Sequence, residues 1–184
     1  MVDERVDVCA VWSHSGRPAE LVRELKYGRA TSVVTELAEA MAVHVGRGVD
    51  LITWVPASPA RRRRRGFDQG ELLARAIGRR RRIPVRRLLV RVDDVAQTAR
   101  DLEGRRRGPS FSPVGRRLRS GPVVLVVDDV TTTGSTLRAA GSLLRRRGAG
   151  SVSGLVATSA QPVSAAARCA SGVYDRGSTH TIGG

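Results

Sequence analysis

Asparagine is absent from this 184-residue chain, lysine occurs once, at position 26, and aromatic residues make up only 3% of it. So few aromatics leave Trp12, Trp54, Tyr27, Tyr174, Phe67 and Phe111 as the whole supply of stacking surfaces for single-stranded nucleic acid. Two cysteines, Cys9 and Cys169, exclude a four-cysteine zinc ribbon or a disulfide framework, and they read as two buried thiols. His14, His44 and His180 are too scattered for a local histidine metal motif. The longest apolar runs, such as Val123 to Val127, hold five residues against the roughly 20 that cross a bilayer, so no membrane span is expected. Met1 to Trp12 offers no apolar stretch of the secretory kind, and a cytoplasmic protein with no membrane partner is the expectation.

What is abundant is arginine. Of 32 basic residues 31 are Arg, against 17 acidic residues, for a net charge of +15. Lys and Asn codons are A/T-rich, so genome composition accounts for part of this excess, yet the field is physical whatever its origin. It concentrates anions, whether nucleic acid or a small polyphosphate. Leu, Ile, Val and Phe supply 46 residues, enough for a folded core.

Helical spacing recurs at Leu21, Val22 and Leu25, and again at Leu37, Ala38, Met41, Ala42 and Val45 behind the capping candidates Thr31 and Ser32. Asp50 to Val55 reads as a buried strand stopped by Pro56. Pro56 to Arg65, with five consecutive arginines, reads as a basic loop, and a helix follows from Asp68 as N-cap through Ile77. Val85 to Val92 reads as a strand. The stretch 93–120 loses periodicity and fills with Arg, Gly and Pro, the composition of a functional lid. Val123 to Val127, Thr136 to Arg147 and Val152 to Ala157 then read as strand, helix and strand. Alternating strands and helices imply an α/β fold with a mostly parallel central sheet flanked by helices. A single domain over 1–160 is expected, with a partly disordered extension over 161–184.

The segment Val123-Val124-Leu125-Val126-Val127-Asp128-Asp129-Val130-Thr131-Thr132-Thr133-Gly134-Ser135-Thr136 carries the chemistry. A buried strand delivers two acids to its carboxyl end, where open α/β sheets bind ligands, and a hydroxyl- and glycine-rich turn then opens a helix. Amides at that helix start, with the Thr and Ser hydroxyls, make a cradle for a phosphate dianion. The acids would repel a bare polyphosphate and suit sugar hydroxyls or a ligand-borne magnesium ion. A phosphorylated ribose meets both demands. A Walker loop is excluded because it needs Gly-Lys-Ser/Thr, and a Gly-x-Gly-x-x-Gly fingerprint is missing.

This segment resembles the phosphoribosyl pyrophosphate (PRPP) loop of type I phosphoribosyltransferases. Leu25-Lys26-Tyr27-Gly28, Val55-Pro56, Arg65-Gly66-Phe67-Asp68-Gln69, Glu71-Leu72-Leu73-Ala74 and Gln97-Thr98 with Arg105-Arg106-Arg107 resemble the ComF branch, in a variant without its N-terminal zinc module. Where that branch commonly has Asn, this chain has Asp68 and Gly108. The resemblance implies that Asp128 and Asp129 hold the ribose hydroxyls and that Thr131, Thr132, Thr133, Gly134, Ser135 and Thr136 hold the 5′-phosphate. Pro56, Ala57, Ser58, Arg61 and Arg65 would lie where pyrophosphate binds, and Gln97, Arg105 and Arg106 would belong to the lid. Mg2+ would arrive on PRPP rather than at a protein-only site. A hood over the acceptor would come from the N-terminal helices and 93–120. The implied activity is phosphoribosyl transfer to an unidentified nitrogen acceptor, and a homodimer is an expectation for the assembly. An alternative is a ComF-type accessory protein of DNA uptake that binds single-stranded DNA or nucleotide without turnover.

Overall fold

The computed structural model describes residues 6–27, 31–92 and 110–161. Its central sheet has the strand order β1 (Asp7–Ser13), β6 (Ser151–Ser159), β5 (Val123–Thr131), β2 (Leu51–Trp54), and every pairing is parallel. The register sets Val124 against Leu51 on one side and Val152 on the other. Val85 adds a single parallel bridge to Ile52 beyond the β2 edge.

β5 and β6 sit inside the sheet, and β5 opens on five fully buried apolar residues, as expected of a parallel strand covered on both faces. Alternation sorts its side chains. Val123, Leu125 and Val127 join a core with Leu21, Val22 and Leu25 of α1 (Gly16–Tyr27), Leu37 and Met41 of α2 (Thr31–Ala42), and Leu73 and Ile77 of α4 (Gln69–Arg81). Val124 and Val126 face the opposite layer, where Leu137, Ala140 and Leu144 of α5 (Ser135–Arg146) pack beside Leu88 and Leu89. The result is helix, sheet, helix, and the expected α/β class with a mostly parallel sheet holds.

Several local expectations are corrected. Pro59–Arg65 is a helix, α3, rather than a loop. Ser58 accepts the Arg61 amide as N-cap, Pro59 opens the first turn, and Gly66 closes it in the left-handed region at φ 76°. Capping thus overrides the repulsion among five arginines. β1 was not foreseen, although Val6, Val8, Ala10 and Trp12 carry the period of a strand. The strand expected over Val85 to Val92 is confined to β3 (Leu89–Val92), and it pairs antiparallel with β4 (Ser110–Pro113), inside the stretch expected to lack regular structure. Cys9 is half-buried and is not a free thiol, contrary to the buried-thiol reading. Among the described residues no helix is long and apolar enough to cross a membrane.

Candidate functional site

Two loops leave the carboxyl edge of the sheet from adjacent strands. β2 hands over to Val55, whose amide donates to the Val127 carbonyl at 2.9 Å, and then to Pro56, Ala57 and Ser58. β5 hands over to Thr132, Thr133 and Gly134 and then to α5. Parallel pairing of β2 with β5 therefore brings the expected pyrophosphate and 5′-phosphate segments to one edge.

Asp68 ties the first of these loops down. It is buried, caps α4 by accepting the Glu71 amide at 3.3 Å, and accepts the Ala57 amide at 2.9 Å with its other oxygen. The Trp54 indole donates to the same carboxyl. Burial raises the pKa of Asp68, and these donors counter only part of that rise. Gly70 lets α4 approach this close, since an added Cβ would sit 3.0 Å from the Val55 carbonyl oxygen and 3.3 Å from the Trp54 ring.

The acid pair lies inside the strand rather than after it. β5 runs on through Asp128 to Thr131, with Asp128 opposite Val156 and Thr131 opposite Ser159. Asp128 accepts the Asp129 amide at 2.8 Å, and Asp129 accepts the Val130 amide at 2.9 Å. The Asp128 carboxyl is held well above the ordinary carboxylate range, first by burial, then by repulsion from Asp129 and by the hydrogen bond the two carboxyls share. Asp68 adds repulsion from across the loop. The second oxygen of Asp129 faces Lys26 Nζ at 3.6 Å.

The turn beyond is organised for an exposed helix start. Thr131 Oγ1 accepts the Gly134 amide at 3.1 Å, and the Thr133 and Ser135 hydroxyls are 3.0 Å apart. Gly134 is the N-cap at φ 71° with no side chain to cap the helix, and no acidic residue stands in the first turn. Thr132 and Thr133 are exposed, while Thr131, Gly134, Ser135 and Thr136 are half-buried. Such a turn presents hydroxyls and the positive end of a helix dipole to solvent, which suits a phosphate.

The other expected residues spread more widely. Pro56 is buried, Ala57 and Ser58 are half-buried beside Asp68, Arg61 is exposed in the first turn of α3, and Arg65 is half-buried at its end. The Arg65 Nε has no protein partner despite its burial, and neither has Gln69 Nε2. Gln97, Arg105 and Arg106 lie outside the described residues. Two neighbours of the site were missed. Lys26 could have been singled out as the sole lysine. Arg138 reaches back to Gly134, where an added Cβ would meet its Nη1 at 3.0 Å, and only the i, i+4 spacing announces that. Among the described residues no group of three or more His, Cys, Asp or Glu gathers to hold a metal ion.

Residues 81–167 match the family model described as the phosphoribosyl transferase domain, a span that includes β3, β4, β5, α5 and β6 with the acid pair and its turn. The fold is that of the phosphoribosyltransferases. Among solved structures, the allosteric regulatory enzyme of purine biosynthesis is similar at 23% identity and a TM-score of 0.52, over 73% of this chain and 30% of that one. Glutamine PRPP amidotransferase from B. subtilis, complexed with ADP and GMP, is similar at 22% identity and a TM-score of 0.51, over 73% of this chain and 30% of that one. The chain thus aligns with under a third of either protein, and the likeness is one of fold. No curated protein matches the sequence significantly.

Proposed function

We propose that this chain binds PRPP with Mg2+ and transfers its phosphoribosyl group to a nitrogen acceptor, releasing pyrophosphate. The observation that carries the reading is the junction at the end of β5, where two carboxyls in the strand lead within five residues to a hydroxyl-rich helix start whose N-cap is a glycine and whose first turn holds no acid. On this reading Asp128 and Asp129 hold the ribose hydroxyls and Thr131 to Thr136 the 5′-phosphate. Pro56, Ala57 and Ser58, with Arg61 and Arg65, take the pyrophosphate, and the unpartnered Arg65 Nε is a donor suited to it.

Mg2+ belongs to the substrate complex, where it neutralises the diphosphate. Displacement at C1 passes through a transition state of oxocarbenium character, so charge grows on the leaving group. The protein answers with preorganised cations and amides rather than with a covalent nucleophile. The acceptor would be held by a hood of α1, α2 and the 93–120 stretch within one domain, and the lid residues Gln97, Arg105 and Arg106 would exclude water. The ComF assignment and a cytoplasmic setting belong to this reading. The test is pyrophosphate release across a panel of nucleobases and amines, with Asp128→Asn/Asp129→Asn as control. A wild-type protein that neither binds PRPP nor turns over with any acceptor would sink it.

A second reading, a nucleic-acid accessory role in DNA uptake, draws on the exposure of Arg61, Arg62, Arg63 and Arg64 along α3. It is the weaker of the two because Trp54 is 3% exposed and cannot stack on a base. Single-strand binding that falls steeply with added salt would favour it.

A further inference from the structure

The basic residues of this chain number 32, and the one lysine among them is the residue that meets the acid pair. Lys26 stands in the last turn of α1, where the helix dipole favours any cation, but the dipole explains neither its direction nor its type. Its neighbour Leu25 is buried in the core, which fixes this turn of α1 against the sheet, and the Lys26 ammonium reaches Asp129 Oδ2 at 3.6 Å. Both partners are sheltered, with side chains 28% and 18% exposed, so the pair is screened less than a surface ion pair. Asp129 Oδ1 already accepts the Val130 amide at 2.9 Å, which fixes the carboxylate plane from the other side.

Geometry also says why arginine would serve badly. A guanidinium fork engages a carboxylate with two parallel bonds and takes both oxygens, whereas an ammonium is a compact charge that engages one and leaves lone pairs on both for hydroxyl donors. Among the described residues the charged groups that act on this pair are Lys26 from α1, paired with Asp129, and Asp68 at the N-cap of α4, which acts on Asp128. Among the described residues Lys26 is the one cation that forms an ion pair with this cluster.

We propose that Lys26 is a positioning residue that holds the Asp129 carboxylate oriented for the hydroxyls of the bound ribose, a role that requires lysine rather than arginine. This rests on the PRPP reading above.

The experiment is a calorimetric double-mutant cycle over wild type, Lys26→Met, Asp129→Asn and the double variant, titrated with ribose 5-phosphate and with inorganic phosphate, and with Lys26→Arg as a fifth protein. Lys26→Met is expected to weaken ribose 5-phosphate by about tenfold or more and to leave inorganic phosphate within about twofold, because only the sugar reaches Asp129. In the Asp129→Asn background the same change is expected to have almost no further effect. Lys26→Arg is expected to stay close to Lys26→Met. The proposal is overturned if Lys26→Met binds ribose 5-phosphate as wild type does, or if its loss persists undiminished in the Asp129→Asn background. A Lys26→Arg protein that binds as tightly as wild type overturns the requirement for lysine. Should wild type bind neither ribose 5-phosphate nor PRPP, the proposed function fails by itself. The pairing is then read from the carboxyl carbon NMR signal of Asp129, which Lys26→Met moves if the lysine orients that group and leaves in place if it does not.

Discussion

Asp68 and Ala57 are joined by a hydrogen bond of 2.9 Å from the Ala57 amide to the Asp68 carboxylate, across eleven residues that include the whole of α3. One side chain therefore caps α4, through the Glu71 amide, and pins the first residues of the loop leaving β2. Removing it leaves two backbone amides and the Trp54 indole without their acceptor. Asp68→Ala is expected to cost about 1–3 kcal/mol from the lost cap and the unsatisfied donors. For a chain of this size that corresponds to a fall in melting temperature of roughly 3–10 °C, which differential scanning calorimetry reads. PRPP binding should weaken more than ribose 5-phosphate binding, since the freed loop is the one assigned to pyrophosphate.

The pH dependence of stability follows from Asp128 and Asp68, both raised above the ordinary value of 3.8. A carboxyl with a raised folded-state pKa binds its proton more tightly in the native than in the unfolded chain. Stability is then greatest below the ordinary value and falls as pH climbs through the raised one. Asp128→Asn removes most of this dependence and keeps an oxygen for the Asp129 amide. The variant should melt higher than wild type at pH 7 to 8 and converge with it near pH 3.8 or below, while binding PRPP more weakly. Thermal melts across that range decide it, and a variant less stable than wild type at neutral pH would contradict the assignment of strain to this pair.

The layout of the candidate site was legible because it is local. Val123 to Thr136 is one unbroken strand, turn and helix start, so the order of residues already places the acids and the turn on one edge. Asp68 as an N-cap was legible for the same reason. What composition concealed was α3, where a run of arginines reads as loop until Ser58, Pro59 and Gly66 are taken together as cap, first turn and stop. β1 was hidden because its exposure mixes edge and core, with only Ala10 fully buried within the strand. The contacts of Lys26 with Asp129 and of Asp68 with Ala57 join separate elements, and spacing along the chain does not announce such meetings.

Gly134 is required by conformation more than by space. Its φ of 71° lies where an L side chain is strained, and the atom an added Cβ would meet is the mobile end of Arg138, at 3.0 Å. Gly134→Ala is expected to cost about 1–2 kcal/mol, nearly all of it backbone strain. Because the arginine can swing away, Arg138→Ala in the same chain should recover little of that loss. Chemical denaturation of the two single variants and the double variant separates strain from crowding: substantial recovery in the double variant would show that the steric contact dominates.

The seven-residue helix α3 tests how far capping alone can hold five like charges together. It buries no residue, and at this length an isolated helix is marginal in water even with neutral side chains. Its order therefore depends on the Ser58 hydroxyl at one end, the Gly66 turn at the other and the screening of Arg61 to Arg65. Ser58→Ala is expected to remove about 1 kcal/mol from this helix and to leave the global melting temperature nearly unchanged, since no core contact is lost. Raising ionic strength from 0.01 to 0.15 M shortens the screening length from about 30 to about 8 Å and should increase amide protection across α3 in both proteins. Pyrophosphate should do so at far lower concentration than chloride if these arginines meet it. Site-resolved hydrogen exchange distinguishes the cases: protection that ignores both salt and Ser58 would mean that packing by the rest of the chain, and not the caps, keeps this helix formed.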